Sequence, residues 1–312
     1  PERTKFNGWL VFGGIWAILV YFPVAHWVWA SGGWIFEMGV IDFAGGTAVH
    51  INAGAAALAL AIVIGKRTGW PKTPMRPHNL TLVMIGAGLL WFGWFGFNAG
   101  SALAADNTSA VVFLNTFAAT CAAAIGWLVV EKLRDGHITT LGAASGIVAG
   151  LVAITPACSA VSPIGALIVG ILAGVICALA VGLKYRFGYD DSLDVVGVHL
   201  VGGLLGTLLI GFLATDLAPA GVNGLLYGGG GEQLGKQAIG AFSVMGYSFV
   251  VALIIGLILR AAGIMRVSRD EELSGIDLAE HAESAYEFGE TGGGGHFAGI
   301  GAGAARRDRE EI

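Results

Sequence analysis

Two histidines, His50 and His199, lie inside long uncharged stretches, and each follows an aspartate by eight residues: Asp42 precedes the first and Asp191 the second. Their surroundings match as well. Each follows a valine and is followed, four residues on, by a glycine, in Val49-His50-Ile51-Asn52-Ala53-Gly54 and Val198-His199-Leu200-Val201-Gly202-Gly203. A neutral imidazole carries one donor and one acceptor nitrogen, so two such rings satisfy each other and accept or share a proton. A lone histidine in an apolar segment is often just a satisfied core residue. Two with the same flanks point to a site, because a polar ring at membrane depth is functional by default. Such a pair forms a narrow polar line in an apolar passage. With no ring of acidic side chains at the same depth, it suits a small, neutral, hydrogen-bonding solute better than a permanent ion.

The elements that position these rings follow from composition. Of 312 residues, 55% are apolar and 12% charged, about half the ~25% charge of an average soluble domain, and the mean hydropathy is +0.73. The 51 glycines show no collagen period and lie largely in apolar runs, as where membrane helices pack closely. A soluble globule, a disulfide scaffold, a disordered chain and a nucleic-acid binder are excluded. The net charge of −5 misleads, since 11 of the 22 acidic residues lie from Asp270 onward. Cys121, Cys158 and Cys177 are scattered and odd in number, and read as packing residues.

Eight uncharged stretches approach the ~20 residues that cross a ~30 Å hydrocarbon core: Gly8–Trp29, Phe43–Ile64, Leu80–Phe97, Ala110–Val130, Thr139–Thr155, Pro163–Leu183, Val195–Leu213 and Ile239–Leu259. Lipid offers no partner for free backbone groups, so each is expected to be a helix. The fold class is an all-α polytopic membrane protein. Sixteen of the 17 basic residues fall on one side of these spans, Lys236 being the exception, and the positive-inside rule makes that side cytoplasmic. Both ends of the chain are then inside, in a cell (inner or plasma) membrane.

Spans two and seven run in opposite directions. At 1.5 Å per residue, each histidine lies ~12 Å from its aspartate, and the aspartates lie near opposite faces ~30 Å apart, so the rings come within ~6 Å in depth. That is an inverted-topology repeat with its site at the repeat interface. Corresponding helices are five apart, so the unit is five helices. The expectation is 8 of 11 transmembrane helices in this chain, three preceding Pro1.

The segments Asp42-Phe43-Ala44-Gly45-Gly46-Thr47-Ala48-Val49-His50-Ile51-Asn52-Ala53, Trp91-Phe92-Gly93-Trp94-Phe95-Gly96-Phe97-Asn98-Ala99-Gly100-Ser101 and Asp194-Val195-Val196-Gly197-Val198-His199, with Pro77-His78-Asn79-Leu80 and Thr155-Pro156-Ala157, resemble the ammonium transporter (Amt/Mep/Rh) family over about Glu2 to Tyr286. The resemblance implies the family's fourth to eleventh helices and transport of ammonium or ammonia, without enzymatic chemistry, cofactor or metal. It makes His50 and His199 the twin histidines of the conduction pore. Trp29 and Ser101 become the indole and hydroxyl of an external ammonium recruitment site that Asp42 supports from behind. Phe97 becomes one of two stacked gate phenylalanines, the other lying outside this chain, and Trp94 a pore-lining tryptophan. On residue type alone, Trp29 is an interfacial anchor, Trp94 and Phe97 are core aromatics, and Asp42, Asp191 and Asp194 are helix N-caps.

The division expected is a transmembrane transporter domain over residues 1–265, a cytoplasmic carboxy-terminal regulatory segment over 266–290 and a disordered tail over 291–312. Leu273 to Tyr286 resembles the family's carboxy-terminal motif, with Ala282 where a glycine is usual. The resemblance further implies a homotrimer and a P-II signalling protein as partner on the cytoplasmic face. Two competing readings are a membrane haem protein with histidines from two helices as iron ligands, and a receptor that senses ammonium without moving it.

Overall fold

Pro23 sets the shape of the first span. In the computed structural model, which describes residues 2–284 and Tyr286, helix α1 (Phe6–Trp16) runs through a π-helical turn (Ala17–Tyr21) into α2 (Phe22–Trp29). Proline has no N–H to return to the carbonyl four residues back, here Leu19. That carbonyl instead accepts the Tyr247 hydroxyl at 2.6 Å, the repair by a neighbouring helix that a lipid-embedded backbone requires. A short α3 (Trp34–Glu37) follows.

The second span opens with a π-helical turn (Gly46–Ile51) that leads into α4 (Asn52–Ile64). Helices α5 (Leu80–Gly100), α6 (Asn107–Asp135), α7 (Thr140–Ala157) and α8 (Pro163–Ala180) come next, with a short α9 (Leu183–Phe187). A third π-helical turn (Val196–Leu200) leads into α10 (Val201–Leu213), and α11 (Glu232–Ala261) is the last long helix. Starts are marked by polar caps: Asn79, Asp106, Thr139 and Ser162 each accept the backbone N–H three residues on, as orphan first-turn donors require.

The described residues thus contain eight helical spans long and apolar enough to cross a bilayer, and only two isolated β-bridges besides. All eight expected spans are found. The last begins at Glu232 rather than Ile239, because Gln233 and Gln237 extend it while buried: Gln237 donates to the carbonyls of Ile41 and Thr207 and accepts the Ile41 N–H. The repeat is visible in the chain trace. Each histidine sits in a π-helical turn that continues as a 13-residue α-helix, Asn52–Ile64 or Val201–Leu213.

Small residues let the spans touch. A Cβ on Gly170 would lie 2.2 Å from the Ala119 carbonyl oxygen, and one on Gly174 2.1 Å from that of Ala123, so α8 rests backbone-to-backbone on α6. Around this seam Ala119, Ala123, Ala153, Ile154, Val169, Ala173 and Ile210 form a fully buried core.

Two short helices, α12 (Arg269–Ser274) and α13 (Ile276–His281), close the basic side. Glu272 accepts the Thr68 N–H at 2.6 Å and pairs with Arg266 at 2.8 Å. Glu280 accepts the Phe6 N–H, and the Asn79 side-chain amide donates to the Tyr286 hydroxyl. Ala282 ends α13 at φ 54°, ψ 33°, a left-handed conformation that suits the glycine usual in the resembling family. The expected disordered tail, 291–312, lies outside the described residues.

Candidate functional site

The turn that carries His50 is built on one carboxylate. Gly45 takes φ 117°, a value side chains resist, and this folds the chain so that four successive N–H groups converge on Asp42. Its Oδ1 accepts from Gly45 and Gly46 and its Oδ2 from Thr47 and Ala48, at 2.6–3.0 Å. Burial pushes the Asp42 carboxyl up from its ordinary pKa, and these four donors pull it back. Its oxygens thus sit at the positive end of the helix that follows. Asp42 also reaches outward through its carbonyl, which accepts the Trp29 indole N–H at 2.8 Å.

The turn that carries His199 repeats the device with fewer bonds. Asp191 Oδ2 accepts the Val196 N–H at 2.7 Å, while burial raises its carboxyl pKa against the pull of that bond. Asp194, the other N-cap expectation, does something different: its carboxylate pairs with Lys184 Nζ at 2.6 Å, and only its carbonyl accepts from the turn, at the Val198 N–H. Its φ of 58° turns the chain sharply. Lys184 also donates to the Asp191 carbonyl, so one lysine ties both aspartates together.

The two turns bring the rings together. His50 Nδ1 and His199 Nδ1 are 3.2 Å apart, with ring centroids 5.3 Å apart. One Nδ1 must carry the proton and the other a lone pair. A single bond of this length leaves no gap between the rings for a porphyrin, which removes the haem reading. His50 is 3% exposed, and its Nε2 has no hydrogen-bond partner among the described residues.

The crossing is close because each histidine's glycine gives way to the other segment. A Cβ on Gly54 would stand 2.5 Å from Leu200 N, and one on Gly203 3.1 Å from both His50 Cβ and the Gly46 carbonyl oxygen. Pro156 fills the space against Gly46, where a Cβ would be 2.3 Å from its ring.

Trp94 stacks on His50, with centroids 5.3 Å apart and planes 15° apart. Phe97 meets Trp94 edge-on at 5.5 Å and lies 6.3 Å from His50. His50, Trp94, Phe97 and Leu90 line one cleft of about 500 Å³, whose walls are almost wholly apolar. The structure therefore joins His50, His199, Trp94 and Phe97 in one cluster and links Asp42 to both His50 and Trp29. Ser101 donates its hydroxyl to the Phe97 carbonyl one turn back, and the Trp29 indole N–H is committed to Asp42.

Asn98 and Thr155, which stand in the family-like segments without an assigned role, and Thr116 are fully buried polar residues. The Trp94 indole N–H donates to Thr155 Oγ1 at 2.9 Å, and the Asn98 amide donates to Thr116 Oγ1 at 3.0 Å. The available signal was polar residues on helices otherwise built from glycine, alanine and leucine.

The family model for the Ammonium Transporter Family matches residues 1–286. An ammonium transporter of Mycobacterium bovis is 62% identical over 301 residues, covering 92% of this chain and 63% of the relative. The chain thus spans a little under two thirds of that protein's length. Among solved structures, Mep2 of Candida albicans superposes with a TM-score of 0.79 at 37% identity, over 86% of this chain and 61% of its own. A protein described as a sensor Amt protein superposes with a TM-score of 0.81 at 33% identity, over 90% of this chain and 71% of its own. With its helical spans, its repeat and this match over nearly its whole length, the chain belongs to the ammonium transporter family.

Proposed function

We propose that the protein carries ammonium nitrogen across the membrane, recruiting it as ammonium and passing it as ammonia beside the histidine pair. The observation that carries this reading is the 3.2 Å contact between the two Nδ1 atoms beneath Trp94 and Phe97. The His50 ring, whose Nε2 is buried without a hydrogen-bond partner among the described residues, lines an apolar cleft, and such a lining serves a small neutral hydrogen-bonding solute better than an ion.

On the outer side, Trp29 offers an indole face, and a cation–π contact there contributes ~0.5–2 kcal/mol toward holding ammonium. Asp42 supports that indole through its carbonyl, and Ser101 supplies a hydroxyl. Phe97 gates the entry. Desolvation disfavours the charged form of the substrate as it passes inward, so ammonium gives up its proton near the gate. Ammonia then exchanges hydrogen bonds with the paired rings. Uptake of nitrogen in this way needs no covalent step and no cofactor.

The same reading makes the protein a homotrimer in the cell membrane with its carboxy terminus in the cytoplasm. Residues 266–290 are the regulatory segment, and a P-II signalling protein is its partner. The similarity to a sensor Amt protein supports a second reading, in which the site detects ammonium without passing it. Methylammonium uptake into proteoliposomes by the full-length protein, with and without His50→Ala, separates the two. Transport predicts uptake that the substitution abolishes; binding without uptake in the unsubstituted protein supports sensing and overturns transport.

A further inference from the structure

We infer that Thr155 is a positioning residue for His50, acting through the Trp94 indole. The inference rests on the reading of His50 as the ring that meets the solute. It starts from the side-chain hydrogen bonds that tie α5 to its neighbours. Trp94 and Asn98, four apart, lie on one face of that helix, and their side-chain N–H groups are its two polar anchors. Trp94 donates to Thr155 on α7 and Asn98 to Thr116 on α6.

Both hydroxyls are prepared to accept. Thr155 donates its own proton to the Leu151 carbonyl at 2.7 Å, and Thr116 donates to that of Val112 at 2.7 Å. A hydroxyl whose hydrogen is committed presents its lone pairs in a fixed direction. The indole has one polar atom, so its bond to Thr155 fixes the ring where an apolar contact alone would let it slide. Thr155 Oγ1 also stands 3.3 Å from Asn98 Oδ1, which joins the two anchors into one buried network.

That bond decides what His50 feels. The indole plane lies 15° from the imidazole plane, so a rotation of Trp94 displaces or releases the His50 ring and with it the Nδ1–Nδ1 contact. The next residue, Pro156, packs against Gly46 in the turn that carries His50, and its carbonyl accepts the Phe43 N–H. One dipeptide on α7 therefore fixes both the indole above the ring and the backbone beneath it. Thr155 makes no hydrogen bond to His50 among the described residues; its bonds go to Trp94, Leu151 and Asn98.

The test uses the full-length protein in lipid nanodiscs with ¹⁵N-labelled tryptophan and histidine, the Trp94 indole signal being assigned by its loss in Trp94→Phe. Thr155→Val keeps the shape and removes the acceptor; Thr155→Ser keeps the acceptor. The expected result is Trp94 indole hydrogen exchange at least tenfold faster in Thr155→Val, with displaced His50 and His199 imidazole signals. Thr155→Ser is expected to stay within twofold of the native exchange rate with imidazole signals in place. Unmoved imidazole signals in Thr155→Val, or a serine variant as altered as the valine one, overturn the inference. Should Thr155→Val fail to assemble, Trp94→Phe must itself displace the imidazole signals, and their staying in place overturns it equally. These signals do not depend on flux, so native protein that takes up no methylammonium would sink the transport reading and leave this result standing.

Discussion

Gly54 and Leu200 cross so closely that a Cβ on the glycine would lie 2.5 Å from the Leu200 nitrogen and 2.6 Å from its Cβ. These residues stand four after His50 and one after His199, so their contact sets how near the two rings come. The reciprocal contact of Gly203 on His50 Cβ is looser, at 3.1 Å. Gly54→Ala must therefore push the segments apart, at a cost of about 1–3 kcal/mol from overpacking, while Gly203→Ala costs less. Thermal unfolding in detergent should rank native above Gly203→Ala above Gly54→Ala. Equal midpoints for the two variants would contradict this account of the crossing.

Tyr247 and Pro23 make a second separable pair. Tyr247→Phe leaves the Leu19 carbonyl that Pro23 deprives of its helical partner without the hydroxyl that now serves it. An unmet backbone acceptor costs about 1–3 kcal/mol. The variant should unfold at a lower temperature than the native protein, and Tyr247→Phe in a Pro23→Ala background should be much milder, because alanine restores the N–H. An equal loss in both backgrounds would show that the hydroxyl does not serve this carbonyl.

The carboxy-terminal helices give a local test. Ala282 holds φ 54°, where a residue with a Cβ is disfavoured by roughly 1–2 kcal/mol. Ala282→Gly relieves that strain but frees the unfolded chain, for a net gain of about 0.5–1 kcal/mol. Amide hydrogen exchange in α13 should slow by roughly two- to fivefold. Faster exchange would place the residue in another conformation.

Glu272 makes the attachment of α12 depend on pH. Burial opposes its charge, but the Thr68 N–H and Arg266 outweigh that and hold its carboxyl below the ordinary 4.5. A depressed carboxylate stabilises the folded state above its unfolded pKa, and that contribution is lost as pH falls through the folded value. Protection of the Thr68 amide should persist at pH 5 and fade only below 4.5. Glu272→Gln should weaken it at every pH and flatten the acid dependence. An unchanged acid dependence in that variant would assign the protection elsewhere.

How far the sequence alone reached depends on what kind of contact was at stake. The His50–His199 pairing was legible because two aspartates at equal spacing fix equal depths in opposed spans, which is arithmetic on helix rise. The spans were legible because lipid tolerates no charge within them. What Asp194 does was hidden, since spacing cannot tell a carboxylate that caps a turn from one that turns away to Lys184. Thr155 was hidden for a related reason: its partner Trp94 lies 61 residues away, and only the packing of α5 on α7 brings them together. Trp94 and Phe97 had roles only through family resemblance, because an aromatic on an apolar helix looks the same whether it faces a pore or a core.

The most direct measurement is methylammonium flux into proteoliposomes by the full-length protein and by His50→Ala, His199→Ala and the double variant, at matched protein content. If the rings act as one hydrogen-bonded unit, each single substitution lowers flux at least tenfold and the double lowers it no further, the non-additivity expected of groups that work together. Flux that survives either single substitution, or that falls in the double by the product of the two single effects, would contradict the paired-imidazole path.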